Sequence, residues 1–98
     1  MYARLSRWAG LPPERLDRTV RQFEEEHLPA IERQPGYEGV MVLLDRSSGR
    51  AAAVTLWETD AAMRASDRLA EEARKAAKVT AQTVREPIVD HYEVMLRR

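Results

Sequence analysis

The chain has 98 residues, 44% of them hydrophobic and 33% charged, with 16 basic and 16 acidic side chains and no cysteine. That is one domain's worth of chain, too apolar for disorder and too charged for a membrane protein. The balanced charge gives no reason to expect a nucleic-acid or anionic-membrane partner, and without cysteine there is no disulfide framework, thiolate metal site or thiol nucleophile.

Met1 to Gly10 contains Arg4 and Arg7 and lacks the apolar run of a signal peptide, so a soluble, cytoplasmic protein is expected. Tyr2 to Trp8 mixes aromatic and aliphatic residues and ends at Ala9-Gly10-Leu11-Pro12-Pro13, which predicts a strand and then a loop. Pro13 is placed to start a helix, because its missing N–H would be unpaired in the first turn anyway, and Glu14 and Asp17 complement the helix dipole. Leu16, Val20, Phe23, His27 and Ile31 recur at spacings of three and four and form one stripe, expected to lie on a sheet. Pro29 interrupts that pattern. Its ring crowds the carbonyl of Glu25, so a kink or an early stop near Leu28 is expected.

Val40 to Leu44 and Ala51 to Trp57 are apolar runs separated by the turn-forming Asp45-Arg46-Ser47-Ser48-Gly49, which predicts a β-hairpin. Thr59 or Asp60 can cap the next helix, whose stripe is Ala62, Ser66, Leu69 and Ala73 and which runs to about Lys78. Val84 to Leu96, interrupted near Pro87, supplies the last strand. The order strand, helix, strand, strand, helix, strand is the split βαβ pattern of an α+β, ferredoxin-like fold with an antiparallel sheet.

In that architecture both helices cover one face of the sheet, yet the hairpin does not alternate between apolar and polar residues. Met41 and Leu43 point one way and Val40, Val42 and Leu44 the other; Val54 and Leu56 oppose Ala53, Thr55 and Trp57. Two helices cannot cover both faces. A second copy packed through the helix-free face is the simplest cover, and it supplies burial that a chain this short lacks.

Three segments also carry a family pattern: Gln34-Pro35-Gly36-Tyr37-Glu38-Gly39 between helix and strand, Leu56-Trp57-Glu58-Thr59 at a strand end, and Ala61-Ala62-Met63-Arg64-Ala65-Ser66 opening the second helix. In this order they resemble the antibiotic-biosynthesis-monooxygenase (ABM) family, with its proline-glycine-aromatic turn and its tryptophan-glutamate-serine motif leading into an alanine-rich helix. The resemblance implies one domain over residues 1–98, a dimeric α/β barrel, and a pocket in each protomer between the helices and the sheet. In the family's quinone-forming oxygenases the motif tryptophan lines the pocket, with a tyrosine six residues later and an asparagine four residues earlier. Here the tryptophan is Trp57, while the other positions hold Met63 and Ala53. In its haem-degrading branch, an iron-ligating histidine lies nineteen residues after that tryptophan and a second tryptophan nine after it; here these are Ala76 and Ser66. No cofactor is implied for this chain.

Among side chains able to do chemistry, His27 is the candidate base, since its stripe should aim it at the sheet. The alternative is a histidine satisfied by one hydrogen bond at the end of a core. Trp8 and Trp57 can form an aromatic wall, and Met63, Ser66 and His91 are the further candidates for lining a pocket, which is expected in the space bounded by His27, Trp57 and Met63. Two distant histidines without HxH or HxxxH spacing make no metal site, and Glu24-Glu25-Glu26 reads as a solvated face. Two functions follow: a cofactor-independent monooxygenase acting on an aromatic or polyketide-like molecule, or a non-catalytic dimeric module that binds a small apolar ligand or serves as an accessory domain. Either catalysis or ligand binding asks for a cavity of ~300 Å³ or more.

Overall fold

Period-two alternation in the first strand sets the layout. In a computed structural model describing residues 1–98, β1 (Tyr2–Trp8) turns Tyr2, Arg4, Ser6 and Trp8 toward the helices and Ala3, Leu5 and Arg7 away from them. It occupies an interior position of a four-stranded antiparallel sheet of order β2-β3-β1-β4, built with β2 (Tyr37–Asp45), β3 (Arg50–Trp57) and β4 (Ile88–Glu93). Tyr2 pairs with Trp57, Arg4 with Thr55 and with His91, and Met41 with Val54, so the two faces stay consistent across all strands. The expected ferredoxin-like α+β architecture is present. The last strand is shorter than expected and begins only at Ile88, because Pro87 has no N–H to offer the ladder.

The first helical region is built in pieces. A 3-10 turn at Pro13–Arg15 leads into α1 (Leu16–Gln22), then a π-helical turn at Phe23–His27, then α2 (Leu28–Glu32). Of the two outcomes expected at Pro29, a kink or an early stop near Leu28, the stop does not occur. Instead the Leu28 N–H reaches back five residues to the Phe23 carbonyl, and Pro29 opens a fresh turn where its missing N–H breaks no bond. The second helical region also divides. Thr59 caps α3 (Asp60–Ala65) by accepting from the Ala62 N–H at 3.0 Å, and after Ser66 the chain continues as α4 (Asp67–Ala81), which ends on Gln82 in the left-handed conformation.

The three family-like segments meet in space. Gly36 has φ +85°, its carbonyl accepts from the Glu58 N–H at 2.7 Å, and a Cβ built on it would stand 2.6 Å from the Ala62 Cβ. Glycine is therefore required by both conformation and contact.

Burial is modest. Only 14 of 98 residues are buried, and six of them form two small apolar clusters, one on Leu11, Leu16 and Ala81 and the other on Ile31, Trp57 and Met63. The helix-free sheet face carries Met41, Leu43, Ile88 and Tyr92, each more than half exposed. No helix is long and apolar enough to cross a membrane.

Candidate functional site

Between the two clusters lies a cavity of about 100 Å³, floored by the sheet and roofed by α1 and α4. Its walls are overwhelmingly apolar. Ala70, Ala73 and Ala77 recur along one face of α4, and their small side chains leave the helix and the sheet too far apart to close by themselves. Trp8 and Phe23 supply the aromatic surface. Arginine 4 and arginine 74 are the charged residues of the lining, which holds no carboxylate, imidazole, phenol or amine.

Arg4 is 3% exposed and reaches from β1 to the break between α3 and α4. One of its terminal nitrogens, Nη2, donates to the Met63 carbonyl at 2.5 Å, to Ser66 Oγ at 2.9 Å and to Asp67 Oδ1 at 2.5 Å. The guanidinium carbon lies 5.9 Å from the centre of the Trp57 ring, within cation–π range. The other terminal nitrogen, Nη1, is buried without a hydrogen-bond partner, as is Nη1 of Arg74. Burial and the nearby Arg4 charge push the Arg74 pKa down, against the weaker opposing pull of Glu71 and Asp67.

The residues picked out by sequence are placed as follows. Trp8 lines the cavity. Trp57 and Met63 are wholly buried, but in the packed cluster beside the cavity, with Ile31, Leu28, Leu69 and Tyr37 around them, and neither lines the cavity. The Trp57 indole N–H donates to Thr55 Oγ1 at 3.0 Å, and Tyr37 meets its ring edge-on at 5.8 Å. Ser66 is 1% exposed and joins Arg4 to the Met63 carbonyl, to which its hydroxyl donates at 2.7 Å. His91 faces the helices from β4 opposite Arg4, and its Nε2 stops 3.6 Å from Asp67 Oδ1, beyond hydrogen-bond range. His27 is half-buried in the π-helical turn and outside the cavity lining. The wider turn changes the angular step per residue, so spacings of three and four do not carry the stripe cleanly across Phe23–His27. No group of three or more histidine, aspartate or glutamate residues is placed to hold a metal ion.

Arg4 and Arg74 were not among the sequence candidates. A signal for Arg4 existed, since it shares the even-numbered face of β1 with Tyr2, Ser6 and Trp8. Arg74 has no comparable signal, because it adjoins the alanine stripe in a helix otherwise rich in exposed charge.

Comparison with solved structures places the fold. The monooxygenase ActVA-Orf6 of Streptomyces coelicolor, solved with nanaomycin D, superposes with a TM-score of 0.76 at 14% identity, covering 99% of this chain and 92% of that one. The chain has the ABM fold. The same fold is shared by the heme-degrader MhuD of Mycobacterium tuberculosis, solved with two hemes in its active site (TM-score 0.66, 22% identity, 100% and 99% covered). It is also shared by the cofactor-independent oxygenase SnoaB of Streptomyces nogalater (TM-score 0.61, 14% identity, 99% and 93% covered). No family model matches the sequence. The uncharacterised protein Rv2558 of Mycobacterium tuberculosis is 35% identical over 97 residues, which are 98% of this chain and 39% of that protein. The chain thus spans about two fifths of the length of that relative.

Proposed function

We propose that this ABM-fold chain is a small-molecule-binding module, acting in the cytoplasm as a homodimer formed through the helix-free sheet face, whose cavity takes the apolar body of a single-ring or short-chain ligand. The observation that carries this reading is the apolar cavity held open by the alanine face of α4. Its volume is below the ~300 Å³ typical of drug-sized ligand sites and nearer to the ~150 Å³ known to admit one benzene ring. The exposed apolar side chains on the opposite sheet face support the dimer.

A monooxygenase reading draws on the fold shared with ActVA-Orf6 and SnoaB. A cofactor-free reaction with oxygen needs an ionised substrate, and the lining offers no side chain to serve as its base. Binding without turnover is therefore the better-supported function.

Benzyl alcohol, a neutral one-ring probe, should shift the amide resonances of Ala70, Ala73 and Ala77 in a titration followed by NMR. Ala73→Leu, which fills the cavity, should abolish those shifts while the protein stays folded. Absence of any shift in the wild-type protein with benzyl alcohol and with benzoate alike, each at millimolar concentration, would overturn the proposal.

A further inference from the structure

A buried guanidinium normally has all its N–H groups engaged, because an unpaired donor in an apolar wall costs about 1–3 kcal/mol or more when charged. Here two such donors are unpaired on residues lining one cavity. Arg4 Nη1 and Arg74 Nη1 are both buried without a partner, on two residues that line the same apolar space. The arrangement is asymmetric. Arg4 spends Nη2 on three acceptors, which fixes the guanidinium plane and leaves Nη1 free. Arg74 makes no ion pair at all, and Asp67 and Glu71 act on it only at longer range.

No carboxylate stands within ion-pair distance of Arg74: Asp67, which is 46% exposed, is already bound to Arg4, and the Glu71 carboxylate pairs with Lys75 at 3.3 Å. His91 brings no compensating negative charge, and it leaves its own Nε2 unpaired at 3.6 Å from Asp67. One monoanion would give Arg74 the close counter-charge it lacks and accept from the two free N–H groups. The planar fork of a guanidinium suits a carboxylate well.

Resting on the ligand-binding reading above, we infer that the cavity recognises a small organic anion, a carboxylic acid with a one-ring or short aliphatic body, whose carboxylate lies between Arg4 and Arg74 while its body lies against the alanine face of α4. The side chains divide the work. Arg4, locked by Met63, Ser66 and Asp67, is the fixed donor, and Arg74, half-buried and bonded to no other side chain, is the donor that adapts. Trp8 and Phe23 discriminate by shape rather than charge.

The test compares benzoate with the near-isosteric neutral benzyl alcohol by calorimetry at pH 7, in the wild-type protein and in Arg74→Gln. Benzoate is expected to bind the wild-type protein at least about tenfold more tightly than benzyl alcohol, and that ratio should fall by about tenfold in Arg74→Gln, the loss of one charge-assisted hydrogen bond, with Arg4 still donating. On the wild-type protein, benzoate should also shift the Nε–Hε NMR signal of Arg74, a readout that does not depend on the variant folding. Equal affinities for the two probes would overturn the anion site and leave the apolar cavity as the binding site. A benzoate preference undiminished in a folded Arg74→Gln protein, or an Arg74 signal unmoved at saturation, would also overturn it. Binding of neither probe would bring down the ligand-binding reading as well.

Discussion

Trp57 shows how one residue can be central to a fold without touching its cavity. The indole is wholly buried, its N–H is paired with Thr55, its edge meets Tyr37 and its face lies near the Arg4 charge. Removing it leaves a void in the larger of two thin clusters and takes the aromatic face from Arg4. Trp57→Ala should therefore cost about 3–5 kcal/mol, measured by urea unfolding, a large share of the stability of a chain this size. Arg4 and Arg7 make the complementary point. They are three residues apart on one strand, so they face opposite sides: Arg4 is buried and bonded three ways, whereas Arg7 is exposed and pairs with Asp90 at 3.3 Å. Their identical chemistry is given different roles by strand parity alone.

At the scale of elements, the π-helical turn and the break at Ser66 both arise where a regular helix would conflict with its own sequence or its neighbours. Pro29 is accommodated by one wider turn rather than by ending the helix. Ser66 sits between α3 and α4, where its hydroxyl and the Met63 carbonyl serve Arg4 as acceptors that an unbroken helix would have kept for itself. The turn at Gly36 ties these helices to the sheet. Gly36→Ala should destabilise the protein by about 1–3 kcal/mol from conformation alone, with the Ala62 contact adding to it, and a thermal melt of the variant measures the loss. A variant as stable as the wild type would mean that the turn does not dock on α3 in this way.

For the whole molecule, thin burial on one side and exposed apolar residues on the other belong together. A sheet face with Met41, Leu43, Ile88 and Tyr92 more than half exposed is a costly surface for a monomer and a natural one for a dimer. The wild-type chain should sediment as a dimer with a melting temperature that rises with concentration, and Leu43→Glu should shift it to monomer with a lower, concentration-independent melting temperature. A wild-type protein that sediments as a monomer at 100-fold dilution and at high concentration alike would remove the dimer from the functional picture.

Periodicity and punctuation in the sequence were sufficient for the element order, the hairpin, a helix cap at Thr59 or Asp60 and the division of the strands into two faces, since these depend on contacts between residues close along the chain. The meeting of the Gly36, Trp57 and Ala62 segments was foreshadowed only as a resemblance. Tertiary structure alone decided where the empty space lies, because a cavity is the difference between two packed surfaces and depends on every side chain that borders it. It put Trp57 and Met63 into the packed cluster, His27 outside the lining and Trp8 against the cavity. It also brought together Arg4 and Arg74, 70 residues apart, whose unpaired N–H groups no local pattern could reveal.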